Sequence, residues 1–448
     1  MRAAICLGAA VLAALMLRFG PYFPTTSYDF VQHYLLVDEI MKHGGVRPDQ
    51  YPRIGAMSLY PPVAHWLAAI VGWVGGSGIV GIVLVAIAST YACYLLAMLL
   101  LGRTASVVLF GAAVLALGFT YSMIGYEVVR NGFYPQLVAD VPYLAVLLWA
   151  ATPRPTWQRC VGFAVTGLAV MWIQPLVALH VLGAGCVVAL VSAIEARRHV
   201  WSLAGMLAVS AVIAAFHPSL RVMATISGNN GWLEFGYPHI MAMAVLCGIA
   251  GAVNILRARD PRDVMIGSAA VAGAVLALLQ FVVFRLNLGG SPYAVKKHMF
   301  LVLTFGLMSV IRIVTSKRSG AQWSGIAAAA LAGLCAFRTL SSFTQPVAPV
   351  ASALVEAQGI ATFQLPGYKP DDIVFYDSSL PTMGNVLISL AAFQHPFDAR
   401  AIGWQQGNDM TEGSSLAVVR RTPQTLARCP VRRAETADYI AVDAGCLR

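Results

Sequence analysis

The chain is short of charge. Only 11% of its residues are Asp, Glu, Lys or Arg, against 58% hydrophobic, where a soluble globular protein carries roughly 25% charged residues. That shortage excludes an ordinary soluble domain and fits a polytopic membrane protein built from long apolar stretches. Closely spaced cysteines are missing as well. No CxxC and no zinc-like spacing occurs, which excludes a thioredoxin-like redox motif and a structural zinc site. The polar C-terminal tail has no Gly-rich phosphate loop and no obvious catalytic triad, and no internal repeat marks a transporter with inverted halves. The N-terminal apolar run to about Leu17 lacks an A-x-A-like site, so it reads as an uncleaved anchor rather than a signal peptide, and residue 20 onward emerges on the outer side. The formal net charge of +10 is carried mostly in short loops. Such loops set orientation against anionic lipid, so the bilayer is the partner they imply and nucleic acid is not.

What is present is a series of hydrophobic runs at roughly 3–19, 61–75, 79–101, 104–120, 136–152, 160–173, 176–194, 200–216, 237–255, 264–284, 299–315 and 322–338. If all twelve crossed the membrane, every basic loop from Arg103 onward would fall outside, against the positive-inside rule. Demoting the run 61–75 restores consistency. It opens with Pro61-Pro62, contains His65, ends in glycines, and covers only about two-thirds of a hydrocarbon core of roughly 30 Å. It reads as a juxtamembrane or re-entrant helix. About eleven spans then remain, in a multi-pass protein of the plasma (inner) membrane with a cytoplasmic N-terminus and an extracytoplasmic C-terminus. The inner loops hold Arg103; Arg154 and Arg159; Arg197 and Arg198; Arg257, Arg259 and Arg262; Lys317 and Arg318. The outer stretches, 20–78, 121–135, 217–236 and 285–298, carry most of the polar chemistry.

Residues 1–340 thus read as a transmembrane domain and 341–448 as a small extracytoplasmic α/β domain. In the latter, 346–355 reads as a linker, 372–377, 416–419 and 439–442 as strands, and 383–393 as a helix. Structural support or acceptor contact is its default role. Six cysteines lie in apolar segments and read as core residues. Cys429 and Cys446 alone lie in polar sequence, and the outer compartment permits oxidation, which predicts a disulfide between them.

The stretch Tyr28-Asp29-Phe30-Val31-Gln32-His33 follows the first hydrophobic segment. From Asp29 to about His43, Phe30, Tyr34, Val37 and Met41 form one apolar stripe, which predicts an amphipathic helix on the outer membrane surface. Asp29 and His33 are four apart, about one turn. Asp29 is either the N-cap of this helix or a carboxylate at the rim of a cavity, and the two roles are compatible. Three further outer features stand out: Leu59-Tyr60-Pro61-Pro62-Val63-Ala64-His65-Trp66; Tyr126-Glu127 through Arg130 and Phe133-Tyr134-Pro135-Gln136 to Asp140; and Gly289-Gly290-Ser291-Pro292-Tyr293-Ala294-Val295-Lys296-Lys297-His298.

A single span, an outer-loop Asp opening an amphipathic helix, a Tyr-Pro-Pro-x-x-His-Trp helix, many spans and an exterior C-terminal domain together resemble the GT-C superfamily of membrane glycosyltransferases. The bacterial members that use polyprenyl-phosphate sugars are most similar in plan. The resemblance implies that Asp29 is the first-loop catalytic carboxylate and that Lys296 and Lys297 lie in a late outer loop that holds lipid phosphate. Many members carry two adjacent acidic residues at the first site, where Tyr28-Asp29-Phe30 has one. The partners implied are a polyprenyl-phosphate sugar donor and a cell-envelope glycan, lipid or protein acceptor. A divalent cation, Mg or Mn, with Asp29 and His33 as candidate ligands, is one option for the site, and no cofactor is the other.

The chemistry agrees. Transfer to a hydroxyl needs a base, and a carboxylate near the membrane surface fits. The leaving phosphate needs charge stabilisation, which Arg285, Lys296, Lys297 or a divalent cation supplies. Tyr60, His65, Trp66, Glu127, Arg130 and Asp140 are the candidates for the acceptor side of the cavity, and Tyr60, Trp66 and Trp232 for stacking on a sugar face. Each has a structural counterpart. Lys296 and Lys297 also suit headgroup anchoring, His33 a local hydrogen bond, Tyr60-Pro61-Pro62 a turn before a helix, and Glu127 and Arg130 a surface pair. Asp140 falls inside the outer end of an apolar span, where an unpaired charge is costly and a cavity-facing role follows. A transporter or flippase for a lipid-linked sugar, needing no base at Asp29, and a non-catalytic membrane scaffold are the competing readings.

Overall fold

A computed structural model describes residues 28–46, 54–102, 133–226, 237–315, 350–362, 365, 372–380, 382–393 and 415–447. The apolar runs expected at 3–19, 104–120 and 322–338 lie outside the described residues, as do Glu127, Arg130 and Trp232. Among the described residues eleven α-helices come first in the order of the chain: α1 (Tyr28–His43), α2 (Val63–Gly75), α3 (Gly78–Leu101), α4 (Tyr134–Ala150), α5 (Thr156–Met171), α6 (Pro175–Glu195), α7 (Val200–Phe216), α8 (Pro218–Ile226), α9 (Tyr237–Leu256), α10 (Pro261–Arg285) and α11 (Pro292–Thr315). After them come α12 (Val350–Thr362), β1 (Ile373–Tyr376), α13 (Thr382–Phe393), β2 (Leu416–Arg420), α14 (Pro423–Arg428), β3 (Ala434–Glu435) and β4 (Tyr439–Asp443).

Among the described residues five stretches are long and apolar enough to cross a membrane: Gly78–Leu101, Pro175–Glu195, Arg197–Phe216, Pro261–Arg285 and Pro292–Ile313. Helix surfaces agree. On α10, one of these five, the exposed Val275, Leu279 and Val282, with Leu286 just past its end, and on the shorter α5 the exposed Trp157, Val161, Val165 and Leu168, with Trp172 just past its end, recur every three or four residues. This is an amphipathic helix turned inside out, apolar toward the surroundings, and it marks an integral membrane protein. The 13-residue α2 reaches only about 20 Å and is too short to span.

The described residues fall into two compact units, one within Leu59–Leu67 and Leu84–Thr344, the other within Leu17–Ser58, Ala68–Val83 and Gln345–Arg448. In the first, α6 packs on α5, α7 and α10, and α10 packs on α9 and α11. Small residues permit the closest crossing. A Cβ on Gly267 would stand 2.6 Å from the Gly251 carbonyl oxygen, so α9 and α10 meet backbone to backbone there. Phe133 meets Phe300 and, one level down, Tyr143 meets Phe305, so α4 and α11 run in the same direction. At the far end of α11, Arg312 donates to Asp263 at 2.6 Å and to the terminal carbonyl of α3, Leu101, at 2.8 Å. Asp263 also completes the capping box of α10 with Asp260, so one guanidinium ties the ends of three helices.

In the second unit a four-stranded sheet has the order β1-β2-β4-β3, with β1 and β2 parallel and the other pairs antiparallel. A parallel pair needs a crossover, which here contains α13. Val374, Ala417, Val419, Ile440 and Val442 form the core of one face. Cys429, at the end of α14, is bonded to Cys446 in the last turn. Helix α12 occupies 350–362, where the sequence reads as linker up to residue 355. Its apolar residues Val350, Leu354, Ala357 and Ile360 are buried, and that burial overrides the preceding proline-rich signal.

Candidate active site

Helix α1 carries Asp29 in its first turn, so the carboxylate is one residue inside the helix start rather than its cap. It suits the positive end of the helix dipole all the same. The apolar stripe packs as the spacing requires: Tyr34, Val37 and Met41 surround Gly78, where a Cβ would stand 3.2–3.4 Å from their side chains. The helix is nevertheless not a one-sided surface helix. Val31, His33, Leu35, Leu36, Asp38, Glu39 and Ile40 are buried as well. Lys42 pairs with Asp38 at 2.7 Å and His43 lies 3.9 Å from Glu39, one turn away, which lets two carboxylates accompany the apolar side chains inward. Asp29 is partly buried and His33 buried. Among the described residues no group of three or more His, Cys, Asp or Glu side chains could hold a metal ion.

The Tyr-Pro-Pro-x-x-His-Trp segment belongs, up to Leu67, to the first unit. His65 is fully buried, its Nδ1 3.2 Å from the Pro61 carbonyl, and its ring lies edge-on between Tyr60 and Tyr134, each 5.5 Å away. Gln174 donates to the Tyr60 hydroxyl at 3.1 Å, and the Val63 amide reaches the Trp172 carbonyl. Tyr60 and His65 therefore fasten the start of α2 to the α5–α6 turn and the start of α4. Trp66, next in sequence, is partly buried.

Lys296 and Lys297 are placed differently from the sequence expectation. The expected loop 285–298 ends early because Pro292 opens α11, with the Ser291 hydroxyl accepting from the Ala294 amide at 3.3 Å. Both lysines are helical. The glycines of the preceding turn do not loosen it. Gly289 and Gly290 have φ of +132° and +82°, backbone that other residues rarely adopt, and a Cβ on Gly290 would strike Gln280. The Lys297 ammonium lies 4.3 Å from the ring centre of Phe133 and 4.6 Å from that of Tyr293. Phe133 is the N-cap residue of α4. Arg285 ends α10 on the other side of the turn and is exposed. The structure thus collects Arg285, Lys296, Lys297, Tyr60 and His65 at one end of the first unit's helices, the end opposite Arg312, while Asp29 and His33 belong to the other unit.

Two buried features go beyond the sequence reading. His180 of α6 and His298 of α11 are hydrogen-bonded, Nε2 to Nδ1, at 2.8 Å. Their 118-residue separation hides the pair from any local pattern. Asp140 is fully buried in α4, and neither of its oxygens has a hydrogen-bond partner among the described residues.

No family model matches the sequence, and no curated protein matches it. Among solved structures, that of ArnT from Cupriavidus metallidurans bound to undecaprenyl phosphate matches with a TM-score of 0.51 at 13% identity, over 98% of this chain and 98% of that one. This chain shares the fold of that ArnT. The apo state of the same ArnT gives a TM-score of 0.47 at 14% identity, over 97% of each chain.

Proposed function

We propose that the chain is an integral-membrane glycosyltransferase that moves a monosaccharide from a polyprenyl-phosphate donor to a hydroxyl of a cell-envelope acceptor. The observation that carries this reading is the fold shared, along almost the whole of both chains, with an ArnT bound to undecaprenyl phosphate. The Lys297 cation, fixed by two aromatic rings beside Lys296, supports it. The end of the helices bearing these lysines is the outer face, the end bearing Arg312 the cytoplasmic one, and the sheet-bearing unit is extracytoplasmic.

In the proposed step Asp29 takes the proton of the acceptor hydroxyl. The acceptor oxygen forms a bond to the anomeric carbon from the side opposite the phosphate, and the bond from that carbon to the phosphate oxygen breaks. The electron pair leaves with the polyprenyl phosphate, and the anomeric configuration inverts. Lys296, Lys297 and Arg285 offset the charge on the departing phosphate. Asp29 and His33 offer two ligands, and the described residues supply no set of three. A divalent cation bound there would be held by Asp29 and His33 and would help to offset the charge on the departing phosphate.

The test is direct. Purified chain in lipid, given a polyprenyl-phosphate sugar labelled at the anomeric carbon and a cell-envelope extract, should release polyprenyl phosphate and yield a glycosylated acceptor of inverted configuration. Movement of intact donor between leaflets with no release of polyprenyl phosphate would establish a flippase instead.

A further inference from the structure

Three polar side chains on one side of α4 are enclosed and lack partners among the described residues. They are both oxygens of Asp140, Nε2 of Gln136 and the hydroxyl of Tyr143. Gln136, Asp140 and Tyr143 are 2%, 0% and 0% exposed. Spaced four and three apart, they stand above one another along the helix. Helix α3 closes this side, with the Cys93 thiol 3.7 Å from the Leu137 carbonyl.

Enclosed polar groups without hydrogen bonds are costly, so these groups must be served by something. Their needs differ. A carboxylate takes donors, the Gln136 amide nitrogen takes acceptors, and the phenol takes either. A bare cation would serve Asp140 and leave the amide hydrogens unmet. An anion would serve the amide and leave the acceptor oxygens of Asp140 without a donor. Water meets all three needs and is small enough for an enclosed site.

We propose that Asp140, Gln136 and Tyr143 hold a cluster of ordered water molecules inside the first unit, with Asp140 about 9 Å along α4 from its start at Tyr134. The cluster solvates the carboxylate where α4 runs among apolar helices. It depends on neither the fold likeness nor the transfer chemistry.

Radiolytic hydroxyl-radical labelling of the purified full chain, read by mass spectrometry, detects side chains that have bound water beside them. Tyr143 should be oxidised several-fold faster than Phe163, an equally buried aromatic on α5. Asp140→Asn should retain the fast labelling, and Asp140→Leu should reduce it to the rate of Phe163. Labelling of Tyr143 no faster than Phe163 in the unaltered chain overturns the proposal without requiring any variant to fold, and so does fast labelling that persists in a folded Asp140→Leu chain.

Discussion

The ammonium of Lys297 lies 4.3 Å from the centre of the Phe133 ring, so the start of α11 holds its cation against the start of α4. On the proposed function this cation faces the donor phosphate. Lys297→Ala should raise the KM for a polyprenyl-phosphate sugar and change kcat less. Phe133→Leu should shift KM in the same direction by no more than roughly thirtyfold, since a cation–π contact contributes about 0.5–2 kcal/mol. An unchanged KM in Lys297→Ala would make the lysine a headgroup anchor only.

Much of this end of the molecule is legible from sequence, and its limits have physical causes. The apolar run from 299 locates the body of α11, but Lys296, Lys297 and His298 break the hydrophobic signal of its first turns. The Ser291-Pro292 pair is the local signal for the true start. Periodicity finds the stripe of α1 and misses that Asp38 and Glu39 are buried too, because their pairing with Lys42 and His43 and the walls around them are tertiary. Asp140 stands out in an apolar run, whereas the joining of His180 to His298 depends on two distant helices and leaves no trace in either segment.

At the opposite end, Arg312 should be a stability residue. Breaking a buried ion pair costs about 3–5 kcal/mol, and this one keeps slight solvent contact, with 13% and 11% side-chain exposure, so Arg312→Ala should cost about 2–4 kcal/mol. Arg312→Lys should recover little of it, because a lysine cannot serve both Asp263 and the Leu101 carbonyl through a planar fork. Thermal unfolding in detergent measures both, and a parental Tm in Arg312→Ala would contradict the assignment.

The Cys429–Cys446 bond links residues 17 apart, and closing such a loop stabilises by about 3 kcal/mol. A Cys429→Ser, Cys446→Ser double variant should lower the denaturant midpoint of the sheet-bearing unit while leaving the membrane-embedded helices in place. Alkylation of either cysteine in unreduced native protein would show that the bond is not formed.

Tyr439 donates to the Asp377 carboxylate at 2.8 Å. Burial first, then that hydrogen bond and the Asp377 charge, raise its phenol above its ordinary value. With the folded value raised, the contribution is fully present below the unfolded value near pH 10 and is lost as pH rises from there toward the folded value. Denaturant unfolding of the unaltered chain should therefore weaken above about pH 10 more steeply than that of Tyr439→Phe. Parallel pH profiles for the two chains would remove Tyr439 from the account.

Asp29→Asn tests the central claim. The exchange keeps the side chain's size, gives up about 0.3–1 kcal/mol of charge interaction with the helix start, and removes the capacity to accept a proton. General-base catalysis contributes roughly 10²–10⁴-fold. Purified, folded Asp29→Asn should therefore lose transfer from a polyprenyl-phosphate sugar by at least that order while still binding the donor, and a chelator titration of the parental chain reports separately on any cation. Transfer at the parental rate by Asp29→Asn would contradict the catalytic role of Asp29.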